Sequence, residues 1–113
     1  MTYQHQDLAA GRWKQMTLIE QMANIGSEVE RALHWREKKN TPFCEKAADR
    51  ALELLDLSLD NTQEFPRLKE LARTREVLVD YFYGNNKYQS TENSWRKYFL
   101  CFAIAVRKKV NVL

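Results

Sequence analysis

Residues 17–60 read TLIEQMANIGSEVERALHWREKKNTPFCEKAADRALELLDLSLD, and two helices with legible ends lie in that one stretch. Thr17 followed by Glu20 has the spacing of a capping box, in which each side chain satisfies the other residue's backbone N–H. Leu18, Met22, Ile25, Val29, Ala32 and Leu33 then recur at helical spacing, which predicts a first helix over 18–39. Arg36, Lys38 and Lys39 fall in its last turn, where positive charge meets the negative end of the helix dipole. Asn40 is placed to take the left-handed conformation that closes a helix. Thr41 is expected to cap a second helix with Pro42 at its first position, since a proline there gives up only an N–H that has no helical partner. A connection of about two residues folds the two helices back on each other.

Winding 42–59 at about 100° per residue sorts that helix into two faces. Cys44, Ala47, Ala48, Ala51, Leu52, Leu54 and Leu55 gather on one, and Glu45, Asp49, Glu53, Asp56 and Asp60 form a stripe on the other. Asp60, Asn61 and Thr62 break the helix. Pro66 opens a third, which carries Leu68, Leu71, Ala72, Leu78, Val79 and Phe82 on one face and ends at Gly84, Asn85 and Asn86. Ser90 or Thr91 caps a fourth over 92–109. Its segment from Tyr98 to Val106 reads YFLCFAIAV, nine apolar residues that leave no polar face for water. Such a helix is buried on most sides, by the other three or by another subunit. No strand-like alternation of useful length appears. The expected fold is all-α, an antiparallel up-down-up-down four-helix bundle.

A chain of 113 residues is one domain's worth, too short for two separate cores. Residues 1–16, with Tyr3, His5 and Trp13, are expected to form a free tail or an arm that clasps a neighbour. With 44% hydrophobic and 29% charged residues, three glycines and two prolines, the chain is neither a disordered tail nor a loop-rich scaffold. No apolar stretch reaches the ~20 residues of a membrane span, and the first residues lack the basic-then-apolar order of a secretion signal, so a cytoplasmic location is expected. Cys44 and Cys101 lie outside any CxxC or Cys/His grouping and read as two buried free thiols.

Catalytic, cofactor and metal chemistry find no foothold. Bundle metal sites need a Glu-x-x-His step, because ligands three residues apart project onto one ion. The only histidines are His5 and His34, and the residue three before His34 is Arg31. Glu30 and His34 are spaced to pair as surface neighbours on one helix. No histidine-based signature surrounds either cysteine, and no glycine-rich phosphate loop exists. Gly11, Gly26 and Gly84 instead fit an entry turn, a close helix contact and a helix end.

Charge and aromatic placement say more. Arg75 falls by winding among Leu68, Leu71, Leu78, Val79 and Phe82, so it needs a carboxylate; Glu30 is the expected partner. The alternative is an anion-binding group in a pocket for a small ligand. Residues 42–60 carry a net −3 and residues 92–113 a net +4, although the whole chain is only +3. The acidic ridge and basic helix are either solvated surfaces or contact sites. Arg96, Lys97, Arg107, Lys108 and Lys109, near Tyr88, Trp95 and Tyr98, form the candidate nucleic-acid or anion surface. Three Trp, five Tyr and five Phe are many for so small an interior. Trp35, which winds away from the Leu18, Ile25 and Val29 stripe, and Leu100 and Ile104 of the apolar run are therefore the expected interface residues.

The segments IGSEVERALHWREKKN, KAADRALELLDLSLD, RLKELARTREVLVDYFYG and SWRKYFLCFAIAVRKK, within residues 25–109, resemble a set of small uncharacterised bacterial helical proteins. Residues 35–55 are similar to one tetratricopeptide unit, where a solenoid needs about three. In size and architecture the chain is also similar to the four-helix bundles encoded in ribosomal RNA intervening sequences and to the accessory variability determinant of diversity-generating retroelements. That resemblance implies ring-like oligomers and, for the retroelement member, nucleic-acid binding through a basic surface; no functional residue is carried over. The function expected is a non-enzymatic, self-associating interaction or scaffold module, with a nucleic-acid-binding accessory bundle as the alternative.

Overall fold

Thr17 and Glu20 cap each other as their spacing predicts. The Glu20 N–H donates to Thr17 Oγ1 at 3.1 Å and the Thr17 N–H donates to Glu20 Oε1 at 2.8 Å. The helix they start, α1 (Leu18–Glu37), is the first of four in a computed structural model that describes residues 11–108. A 3₁₀ turn at Trp13–Gln15 precedes it, and α2 (Thr41–Asn61), α3 (Phe65–Tyr83) and α4 (Glu92–Lys108) follow. No strand occurs among the described residues.

The junction between α1 and α2 is shifted from the expected one. Lys39, not Asn40, takes the left-handed backbone, with φ at 59°. Asn40 instead caps α2 by accepting from the Phe43 N–H at 3.1 Å, which makes Thr41 the first helical residue and Pro42 the second. Asparagine suits both a left-handed closure and an N-cap, so the path of the chain decides between them.

α1 packs against both α2 and α4, and α2 also packs against α3. Met22, Ile25, Val29 and Leu33 meet Leu54, Leu55, Leu71, Leu78, Trp95, Phe99 and Phe102 in one buried core. A second patch of Ala32, Cys44, Ala47 and Ala48 joins α1 to α2 with Trp35 and Phe82 laid against it. Small side chains there let the two backbones approach. Gly26 does the same for α4, since a Cβ at that position would stand 2.9 Å from the Phe99 Cβ.

Five expectations are corrected. Trp13 belongs to no free arm: it is 1% exposed, and its indole N–H donates to Ser58 Oγ at 2.9 Å. Ser58 donates in turn to Gln21 Oε1 at 2.8 Å, and Gln21 Nε2 donates to the Trp13 carbonyl at 3.0 Å, which closes a buried ring. Tyr3 and His5 lie outside the described residues. On α3 the covered stripe is Leu71, Thr74, Leu78 and Tyr81, while Ala72 is exposed and Val79 and Phe82 are half-buried. Thr74 can enter the interior because its hydroxyl bonds Tyr98 Oη at 3.0 Å. Glu53 leaves the exposed acidic stripe and is buried, because α2 is covered from two sides, by α1 and by α3. Finally, the other three helices do not cover YFLCFAIAV on most sides. Phe99, Phe102 and Ala105 are buried, whereas Leu100, Cys101, Ile104 and Val106 are exposed. Cys101 is therefore no core thiol; Cys44 is, and burial raises its thiol above the ordinary range.

Candidate functional site

Two stripes run along the outer side of α4 at spacings of three and four residues. Arg96, Leu100 and Ala103 border α1 and Arg107 continues their stripe by winding, whereas Cys101, Ile104 and Lys108 wind to the side away from α1 and Lys97, at the head of that second stripe, still reaches the α1 side. Leu100 is 52% exposed and Ile104 36%, large apolar side chains at the centre of a helix whose other face fills the core. Between α1 and α4 a groove of about 590 Å³ opens beside them, lined by Ala23, Gly26 and Ser27 on one wall and Phe99, Leu100 and Ala103 on the other. Its depth follows from the small residues on the α1 wall.

At the start of α4, Arg96 is clamped. Its Nε donates to both oxygens of Glu30 at 3.1 and 3.0 Å, one terminal nitrogen donates to Glu37 Oε1 at 2.9 Å, and the other reaches Glu92 Oε2 at 3.5 Å. The Arg96 hydrogen bond holds the Glu37 carboxyl below its usual range, and the two α1 carboxylates push the guanidinium further towards permanent charge. Three carboxylates around one guanidinium leave this end of α4 net negative. Arg96 is thus not free to meet phosphates. Lys97, Arg107 and Lys108 are exposed and form no ion pair among the described residues, whereas Lys109 lies outside them. Arg107 stands about 16 Å along the helix from Arg96, so the predicted basic set does not form one patch.

Arg75 is placed differently from its expected pairing. Its Nε donates to Asp56 Oδ1 at 2.6 Å and a terminal nitrogen to Oδ2 at 3.4 Å, tying α3 to α2. Glu30 was the wrong partner because α3 lies against α2, not against the Glu30 side of α1. Arg75 also lines neither the α1/α4 groove nor the two smaller cavities beside α3. Trp35 is half-buried, edge-on to Phe43 at 4.9 Å and to His34 at 5.0 Å, and seals the α1/α2 junction rather than standing out as an anchor.

Tyr98 carries weight that its sequence context does not signal. Its hydroxyl bonds Glu70 Oε1 at 2.6 Å and Thr74 between α3 and α4, and burial pushes its phenol well above the ordinary value. Tyr83 likewise donates to Asp49 between α3 and α2. Such contacts join distant positions, and only the fold brings them together. Among the described residues no group of three or more His, Cys, Asp or Glu is arranged to hold a metal ion, and no helix is long and apolar enough to cross a membrane. The site so defined is an apolar strip with a groove, negative at one end and positive at the other. No protein-family model matches the chain, and no curated protein or solved structure does.

Proposed function

We propose that this chain is a non-enzymatic bundle that self-associates through α4 and acts as a cytoplasmic interaction or scaffold module. The observation that carries the reading is the exposure of Leu100, Ile104 and Val106 on a helix otherwise packed into the core. An antiparallel up-down-up-down arrangement suits this role, because it leaves one face of each helix outward. It is supported by pairs in which one residue number rises as the other falls. These are Gln21 with Ser58 and Trp35 with Phe43, Asp56 with Arg75 and Asp49 with Tyr83, Thr74 with Tyr98 and Tyr81 with Trp95.

A second reading, a nucleic-acid-binding accessory bundle, is favoured by the unpaired Lys97, Arg107 and Lys108. It is weakened by the engagement of Arg96. Light scattering on a size-exclusion column, at low and moderate salt with absorbance at 260 and 280 nm, separates the two. An oligomer with a protein-like absorbance ratio is expected. A monomer at tens of micromolar overturns the first reading, and excess 260 nm absorbance that salt strips away establishes the second.

A further inference from the structure

We propose that the partner seated on α4 is a second copy of this chain, related by a two-fold axis that crosses α4 near the level of Phe102 and runs the two α4 helices antiparallel. The inference rests on the self-association reading and gives it a geometry.

The pattern of α4 is balanced about that level. An antiparallel pairing centred there sets Leu100 level with Ile104 of the second copy, so the exposed apolar pair of each chain covers that of the other. Ala103 borders the groove and is small. Leu100 of each copy then packs over Ala103 of the other at the groove mouth, where a larger residue would fill the space.

Charge selects this direction over the parallel one. The start of α4 holds the carboxylates of Glu30, Glu37 and Glu92 around a single guanidinium, and its end holds exposed Arg107 and Lys108. Arg107 shares the α1-side stripe with Arg96. A two-fold perpendicular to the helices keeps each α1 on the same side of the α4 pair, so Arg107 of one copy comes alongside Glu30 and Glu37 of the other. The contact occurs twice. A parallel pairing would instead set carboxylates against carboxylates and Arg107 against itself. Lys97, which reaches the groove, comes level with Arg107 and next to Lys108 of the other copy, a like-charge contact open to water and screened by salt.

Cysteine pairing tests the register in the full chain. With Cys101→Ser removing the exposed thiol, a mixture of Leu100→Cys and Ile104→Cys chains is expected, on mild oxidation, to form mixed disulfide dimers several-fold in excess of either self-pair. Preferential self-pairing, a ring of larger mass, or a dimer that forms no cross-link overturns this geometry while leaving self-association intact. A chain that stays monomeric at tens of micromolar overturns both. In parallel, Arg107→Glu and Glu37→Lys are each expected to weaken the dimer by about tenfold, since the symmetry repeats the contact. Mixing the two variants, each shown by circular dichroism to be folded at the temperature of the assay, restores association; failure of the mixture to associate better than either variant overturns the charge pairing.

Discussion

Ser58 shows how much one small residue can hold. It is fully buried, accepts the Trp13 indole N–H and gives its own proton to Gln21. Ser58→Ala leaves a buried indole donor and a buried amide oxygen without partners, so a loss of about 1–3 kcal/mol is expected. The check is a lower urea midpoint with an unchanged slope. Gly26 sets two effects against each other. Gly26→Ala gains about 1 kcal/mol of helix propensity. It also drives a methyl to 2.9 Å from the Phe99 Cβ, where neither backbone yields freely. Overpacking of this kind costs about 1–3 kcal/mol, so the variant is expected to melt at a lower temperature than the parent. Gly26 was legible in the sequence as a close helix contact. The ring of Trp13, Gln21 and Ser58 was not, because nothing local to Trp13 signals a serine 45 residues away.

At the scale of the helix, the Arg96 clamp joins α4 to α1 and depends on pH through Glu37. Its folded carboxyl lies below the ordinary value, with the Arg96 hydrogen bond as the largest cause. The folded state therefore gains from the ionised form above the unfolded pKa and loses that gain as pH falls through the folded one. Arg96→Met is expected to lower the melting temperature at neutral pH, and the gap to the parent should narrow steadily as acid protonates Glu37. Thermal denaturation of both chains across pH 3 to 7 checks this. α4 also predicts a thiol count. At dilutions that keep chains apart, one native thiol, Cys101, should react promptly with a maleimide, while Cys44 reacts only on unfolding. The helical ends and the apolar face of α2 follow from capping residues and winding. The covered stripe of α3 does not, since Thr74 and Tyr81 enter the interior only because Tyr98 and the aromatic residues of α4 stand opposite them.

For the molecule as a whole, the uncovered strip on α4 is the outstanding feature. Compared at dilutions that keep chains apart, Ile104→Asp is expected to leave the fold and its melting temperature nearly unchanged, because that side chain is among the exposed ones and lies outside the buried core. The same change should turn an oligomer into a monomer in sedimentation velocity runs. Changing Arg107, Lys108 and Lys109 together to glutamine tests the competing reading. Salt-sensitive retention of RNA by the parent and its loss in the triple variant would establish nucleic-acid binding. The expected outcome is no such retention in either.

By itself the sequence determined the helical class, the four segments and most of their ends, since capping residues, prolines and the period of apolar positions act within a few residues along one chain. The tertiary structure alone decided what each face meets. Arg75 found Asp56 instead of Glu30, Arg96 left the basic surface for three carboxylates, Trp13 joined the core, and half of YFLCFAIAV stayed open to water. Winding tells which residues of a helix point the same way; whether that direction holds another helix, a counter-charge or solvent depends on how the helices pack, and no single helix carries that information.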